Sequence, residues 1–403
     1  MKTSAKTVLI VFKMLLITGI AVLCIWKYMQ ESAAVGFEAK TLPETTSEFS
    51  ASQIVTEDVP ETEEVPEEEA KEFGGPAPGN VDRVVRLKGS PEALGTQHGT
   101  KLKKEIGIML AEYLKYDTGD QGLNPDMRRR VQVMKLSLPE WFIREVKACA
   151  QAADVDEDML LFAQCEGDVR SLAGCTSFAA FDPSSPKGVL EIGRNFDYWG
   201  LKSTETCTVV FSVVPRKEDG YVFVSVGWAG ILGGWTFFNE KGLFVANNLG
   251  GFEEKDPEGV PTLILERMIA QKAATLDEAI AIVKKTPRMR GQVLVLGYTG
   301  NPEKNVPPDG AVVRYDAERV EVEKARNGFA FYSSIGFDRE TVREILVSPG
   351  IKPVDAIKSA GNMGTLHSVV VRPHENRIWV AHGRQSYAHL GSYIKYDLKK
   401  LLQ

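Results

Sequence analysis

The sequence predicts an α+β layered domain, because helix-patterned and strand-patterned stretches fall in separate blocks. Residues 90–172 are mainly of helical pattern. After Cys175, short apolar runs separated by turn signals follow one another as antiparallel strands. A capped helical block then interrupts them before strands return.

The elements read in chain order as follows. Val8–Trp26 (VLIVFKMLLITGIAVLCIW) is a mostly apolar run of nineteen residues, close to the ~20 that span a bilayer core. Lys2 and Lys6 precede it, which places the N-terminus in the cytoplasm and the rest of the chain outside. It reads as a signal anchor for residues 1–30, with a cleaved signal peptide as the alternative; Ser32-Ala33-Ala34 is a poor cleavage site. Residues 31–79 are dominated by Glu, Pro, Thr and Ser. Such a segment buries too little apolar surface to offset the entropy of ordering, so a disordered acidic linker is expected.

Globular composition begins near Val81. Ser137-Leu138-Pro139-Glu140 is a helix start, with Ser137 as cap, and Trp141, Val146, Ala150 and Ala153 follow at helical spacing. CTSFAAFD, GVLEIGRNFDYW, TCTVVFSVV and GYVFVSVGW are successive strands, and FNEKGLFVANN is a hairpin around Glu240-Lys241-Gly242. Thr275 and Glu278 form a capping box before TLDEAIAIVKK. Strands return in QVLVLGY, AVVRYD and FAFYSS, then helix-like FDRETVREIL, and the chain closes on HSVVVRP and NRIWVAHG.

Bulk properties exclude some functions. The chain has 403 residues, is 43% hydrophobic and 25% charged, and has a net charge of −6 with a pI near 5.6. Without a basic stripe, nucleic acid is not expected as a partner. Five cysteines with no CxxC pair outline neither a disulfide framework nor a zinc site. No GxSxG, HExxH or P-loop is present.

Cys175 stands apart from Cys149, Cys165 and Cys207, which read as small buried residues. It follows Gly174 at the head of the strand-rich part, and Gly193-Arg194-Asn195-Phe196-Asp197 lies on the next strand. A neighbouring guanidinium lowers a thiol's pKa from about 8.5. A cut between Gly174 and Cys175 gives Cys175 a free α-amine, with a reference pKa near 8, as a base beside its own thiol. A carboxylate such as Asp197 would hold that amine. Strict alternation sets Arg194 and Asp197 on opposite faces, so a bulge or strand end is needed to bring both to one site.

Gly174-Cys175-Thr176-Ser177-Phe178 with Gly193-Arg194-Asn195-Phe196-Asp197 resembles the opening of the isopenicillin-N acyltransferase-like proteins, N-terminal-nucleophile hydrolases related more distantly to acid-ceramidase-like amidases and choloylglycine hydrolases. Leu87-Lys88-Gly89-Ser90-Pro91 with Gly95-Thr96-Gln97-His98-Gly99 resembles the family's pro-region. Asn239-Glu240-Lys241-Gly242-Leu243 running to Asn248 resembles its hairpin, and Thr365–Val370 with Ile378–Gly383 its C-terminal strand pair.

The resemblance implies a four-layer αββα sandwich, with residues 80–174 as helical pro-region and 175–403 as catalytic part. It implies self-cleavage between Gly174 and Cys175, Cys175 as nucleophile, Asp197 on the α-amine, Arg194 on the thiolate or a substrate carbonyl, and Asn248 as oxyanion donor. Asn247, Trp228, His367 and Ser368 are the candidate pocket residues. The activity implied is amide hydrolysis or acyl transfer on a linear C–N bond, with no metal or organic cofactor and with both pieces staying associated. An inactive binding module and a lipid-directed N-acyl hydrolase are the alternatives. Asn327-Gly328-Phe329 departs from the family's Asn-His-Phe, which puts a pocket role for that turn in doubt.

Overall fold

The computed structural model describes residues 83–403 apart from 120–121, 170–172, 186–187, 199–200, 202, 351, 353 and 383–386. The expectations for residues 1–30 and 31–79 lie outside the described residues. Among those described, no helix is long and apolar enough to cross a membrane.

The strands form one sheet of eight and one of six. The larger runs, in spatial order, β1 (Arg83–Gly89), β4 (Thr208–Pro215), β5 (Phe223–Trp228), β6 (Thr236–Asn239), β7 (Leu243–Asn248), β8 (Gln292–Tyr298), β9 (Asp309–Tyr315), β10 (Val320–Lys324). The smaller runs β11 (Phe329–Ser333), β2 (Ala173–Ala180), β3 (Glu191–Tyr198), β12 (Thr365–Arg372), β13 (Arg377–His382), β14 (Ile394–Asp397). Every neighbouring pair is antiparallel except β1 with β4.

Side chains alternate across each strand, and this sorts the core into three layers of contact. Val210, Val224, Phe244 and Val295 of the large sheet meet Ile192, Val369 and Val380 of the small one. The other face of the large sheet, with Leu87, Phe211, Phe223 and Val245, packs on helices Pro91–Tyr113, Glu140–Ala153 and Thr262–Lys272. Phe178, Phe329 and Val370 on the outer face of the small sheet pack on helices Arg339–Leu346 and Asp355–Lys358. The order is helices, sheet, sheet, helices.

The Gly95–Gly99 stretch has a structural purpose at several of its positions. A Cβ on Gly95 would lie 2.0 Å from the Glu145 carbonyl oxygen, and one on Gly99 2.4 Å from that of Cys149. Only glycine lets these two helices meet backbone to backbone. Gln97 bonds both backbone groups of Lys88 in β1, at 3.1 and 2.7 Å. Buried His98 accepts from the Gly230 N–H at 3.0 Å, and burial lowers its pKa to about 3, so it is a neutral acceptor.

Two helix starts differ from expectation in detail. Helix Glu140–Ala153 has Pro139 at its N-cap, while the Ser137 hydroxyl donates to the Glu258 carbonyl instead. Thr275 caps helix Leu276–Lys285 as expected, but Glu278 accepts from the N–H of Ala274, one residue before the cap. Described residues upstream of Cys175 are part of the fold: β1 enters the large sheet, and Glu145 forms a buried ion pair with Arg267 at 3.0 Å. The same guanidinium also donates to the Leu232 carbonyl and the Gln271 side chain.

Removing one member of a buried pair leaves the other charge uncompensated. Glu145→Ala is therefore expected to destabilise the domain by about 3–5 kcal/mol, read from urea unfolding against the unaltered chain.

Candidate active site

The site begins at the end of β2. Gly174 lies opposite Asp197 of β3, Cys175 opposite Phe196, and Ser177 opposite Arg194. On the other flank, the Ser334 backbone N–H donates to the Cys175 carbonyl at 2.9 Å, just beyond the last β11 pair. The Cys175 N–H donates to Ser334 Oγ at 2.6 Å, and that hydroxyl donates to the Cys175 carbonyl at 3.1 Å.

Arg194 points between the two sheets and is wholly buried. Its Nη1 donates to Ser177 Oγ at 3.2 Å, to the Asn195 carbonyl at 3.0 Å and to Asn248 Oδ1 at 3.3 Å. Its Nη2 reaches Asn247 Oδ1 at 3.5 Å. Asn248 also accepts from Ser177 Oγ at 3.0 Å, and its Nδ2 is directed at the Ala246 and Val293 carbonyls.

Asp197 approaches from the other side of the small sheet. Asn195 donates to the Ile357 carbonyl of helix Asp355–Lys358, and Asp197 accepts from Asn362 and Thr365 at 2.6 Å each. Alternation thus holds: Arg194 and Asp197 stay on opposite faces. The register of β12 against β3 shifts between Thr365 and His367, which leaves Leu366 as an extra residue and brings Thr365 opposite Asp197. Both charged groups still act at Cys175. Its thiol feels the Arg194 charge and the Asp197 N–H, while the Asp197 carboxylate lies 3.6 Å from where a Gly174 Cβ would sit.

Cys175 lines a cavity with Asp168, Asn247 and Gln292 as polar members and Tyr113, Phe196, Tyr198, Trp235, Leu249 and Leu263 as apolar walls. Of the four expected pocket residues, Asn247 lines this cavity. Trp228 sits behind the wall, edge-on to Tyr113 and Phe196. His367 stacks on Phe196 at 4.9 Å and hydrogen-bonds Thr236. Ser368 points away, bonded to Asn195 and Tyr393. Asn327, with φ 51°, belongs to the turn before β11, at the end of that strand remote from Cys175.

Sequence reasoning missed Ser334, Asn362 and Asp168. Asp168 accepts from the N–H and hydroxyl of Thr262, satisfying the first turn of helix Thr262–Lys272. No sequence pattern marks these residues, since each is joined to its partner only by the fold.

Burial dominates the titrations here. It pushes the Cys175 thiol up, against the pull of Arg194. It raises Asp197 to about 7, partly offset by Thr365 and Arg194, and Asp168 to about 6. Asp197 therefore holds more protons folded than unfolded between its ordinary range and about 7, so stability falls as pH rises through that window. In a Cys175→Ala chain this loss is expected to reach up to about 4 kcal/mol. Adding Asp197→Asn should remove that share of the pH dependence, measured by urea unfolding between pH 4 and 8.

Residues 185–307, which include Arg194, Asp197, Asn247 and Asn248, match the family described as acyl-coenzyme A:6-aminopenicillanic acid acyl-transferase. Curated relatives include an uncharacterized protein of Archaeoglobus fulgidus, 24% identical over 60% of this chain and 45% of that protein. Protein dcd1A of Dictyostelium discoideum is 22% identical over 55% of this chain and 56% of its own length. The chain thus spans about half the length of these relatives. Similar solved structures include the Caenorhabditis elegans ortholog of N-acylethanolamine-hydrolyzing acid amidase, with 18% identity, 49% of this chain and 93% of that one covered, and a TM-score of 0.38. Penicillin V acylase from Agrobacterium tumefaciens has 13% identity, coverage of 56% and 87%, and a TM-score of 0.38. Through residues 185–307, this chain is similar to the acyl-coenzyme A:6-aminopenicillanic acid acyl-transferase family.

Proposed function

We propose that the chain is a self-processing cysteine amidase or acyltransferase that acts on a linear amide through a thioester on Cys175. The observation that carries this reading is the setting of the Gly174–Cys175 junction: the thiol lines a cavity beside Arg194, and the peptide nitrogen lies between Ser334 and the strand bearing Asp197. In self-cleavage the thiol attacks the Gly174 carbonyl carbon, the C–N bond breaks, and the nitrogen takes up the proton that the thiol lost. Water then hydrolyses the thioester, leaving a Gly174 carboxylate and a Cys175 α-amine.

In turnover the α-amine removes the thiol proton and the sulfur attacks the substrate carbonyl. The amine product leaves with that proton, and water or a second amine resolves the thioester. Arg194 supports the thiolate, and Asp197 holds the ammonium. The order helices, sheet, sheet, helices agrees with the N-terminal-nucleophile architecture. Strand β1 and the Glu145–Arg267 pair support continued association of the two pieces. The Val8–Trp26 run supports an extracytoplasmic domain, tethered or secreted.

For the oxyanion donor, the geometry favours Asn247 over the Asn248 expected from sequence. Asn248 is committed to Ser177, Arg194 and two carbonyls, whereas Asn247 turns its Oδ1 to Arg194 and lines the cavity. Its Nδ2 is the end left to donate.

Intact-mass measurement of the purified chain should show two pieces, one beginning at Cys175, and Cys175→Ala should remain whole. An active protein in one uncut piece would refute self-processing. On a panel of N-acyl amino acids, penicillins and N-acyl lipids, Asn247→Ala should slow turnover by roughly 100-fold or more, while Asn248→Ala should chiefly lower stability. The opposite pattern returns the donor role to Asn248.

A further inference from the structure

We propose that Ser334 is a positioning residue for the α-nitrogen of Cys175, holding that atom both before and after the chain is cut; this rests on the self-processing reading above. Strand β11 ends at Ser333, opposite Thr176. One residue further, the ladder continues through a single backbone bond, Ser334 N–H to the Cys175 carbonyl at 2.9 Å. The Cys175 N–H is met by the Ser334 hydroxyl, at 2.6 Å, and the same hydroxyl donates its hydrogen to the Cys175 carbonyl at 3.1 Å. A side chain thus takes the place of a strand carbonyl at the one peptide nitrogen that the chemistry requires to change.

The substitution matters because the nitrogen's needs change on cleavage. As an amide it has one hydrogen and no available lone pair. As an amine it has two hydrogens and a lone pair, and as an ammonium three hydrogens. A carbonyl is an acceptor only, whereas a hydroxyl accepts or donates by rotation. Ser334 is therefore matched to all three states. Its neighbour is not interchangeable with it: Ser333 Oγ pairs with Thr176 Oγ1 at 2.9 Å and accepts from the Phe337 N–H at 3.2 Å.

Asp197 completes the geometry. It lies opposite Gly174, with a carboxylate oxygen 3.6 Å from where a Cβ on that residue would sit. In the neutral amine, with one hydrogen on Ser334 and the other on Asp197, the direction of the lone pair is set. An amine held by one partner alone would rotate about the Cα–N bond, and its lone pair would meet the thiol only part of the time.

The test uses the full chain made by cell-free synthesis, with the cut fraction followed by intact mass. A second readout on the cut protein is the pH midpoint for alkylation of Cys175 by iodoacetamide. Ser334→Ala should be cut ~10-fold more slowly, the effect of one lost hydrogen bond. Its alkylation midpoint should move to higher pH, because the ammonium loses an acceptor and so supports the thiolate less. Ser334→Thr keeps the hydroxyl and should restore both. Wild-type cutting with an unmoved midpoint in Ser334→Ala overturns the proposal, and so does Ser334→Thr failing like Ser334→Ala while retaining the wild-type unfolding midpoint. If Ser334→Ala does not fold, Ser334→Cys decides: it is close in size but a poor acceptor, so slow cutting supports the role and wild-type cutting overturns it. Cys175→Ala separates the two levels. Its own cleavage would sink self-processing itself, whereas an intact Cys175→Ala beside a normal Ser334→Ala removes only the role of Ser334.

Discussion

A guanidinium shut between two sheets is the constraint around which this site is built. Arg194 has no access to water, so its donors must find acceptors in the protein or leave unmet groups at ~1–3 kcal/mol each. Ser177 of β2, the Asn195 carbonyl of β3 and Asn247 and Asn248 of β7 meet that need at Nη1 and Nη2, while Nε stays buried without a hydrogen-bond partner. These groups come from both sheets, so satisfying one side chain fixes how the sheets register next to Cys175. Burial holds Glu266 well above its ordinary range despite the nearby Arg194, and Asp197 at about 7. The positive charge is left facing the thiol.

The same constraint explains why two asparagines stand in a row. Alternation in β7 turns Asn248 inward to the guanidinium and sets Asn247 on the cavity. Asn248 serves the buried cation, whereas Asn247 reaches the cation with its Oδ1 and also lines the open space. Cys175, in its proposed role as a nucleophile working through its side chain and its own backbone nitrogen, has a parallel requirement. Its sulfur lies on one face of the sheet and its nitrogen in the plane, so Arg194 and Asp197 on opposite faces are suited to it.

Local pattern made much of this legible. The helical block before Cys175, the strand run after it, the Thr275 cap and the hairpin at Gly242 all follow from short-range rules. The Arg194–Asp197 spacing also read correctly as two faces, and the bulge that the sequence asked for near them lies on the neighbouring strand β12, between Thr365 and His367. Strands β1, β10 and β14 were not foreseen. RVVRLKG and VEVEK are short and charged, in keeping with β1 and β10 standing at the edges of their sheet. IKYD, at an edge of the other sheet, is only four residues long. Ser334, Asn362 and the choice between Asn247 and Asn248 depend on pairings over long sequence separations, which no window of neighbouring residues contains.

The groups around the Gly174–Cys175 peptide are spread along the chain: Arg194 and Asp197 soon after it, Asn248, which holds Arg194, further on, and Ser334 on Cys175 with Asn362 and Thr365 on Asp197 towards the C-terminus. The junction is thus assembled only when β11 and β12, among the last strands made, have joined β2 and β3. The proposed self-cleavage, depending on that assembly, would be a quality check built into the backbone. Under it, a chain stalled on the way to the native state would keep an intact junction, and length alone would sort finished molecules from unfinished ones.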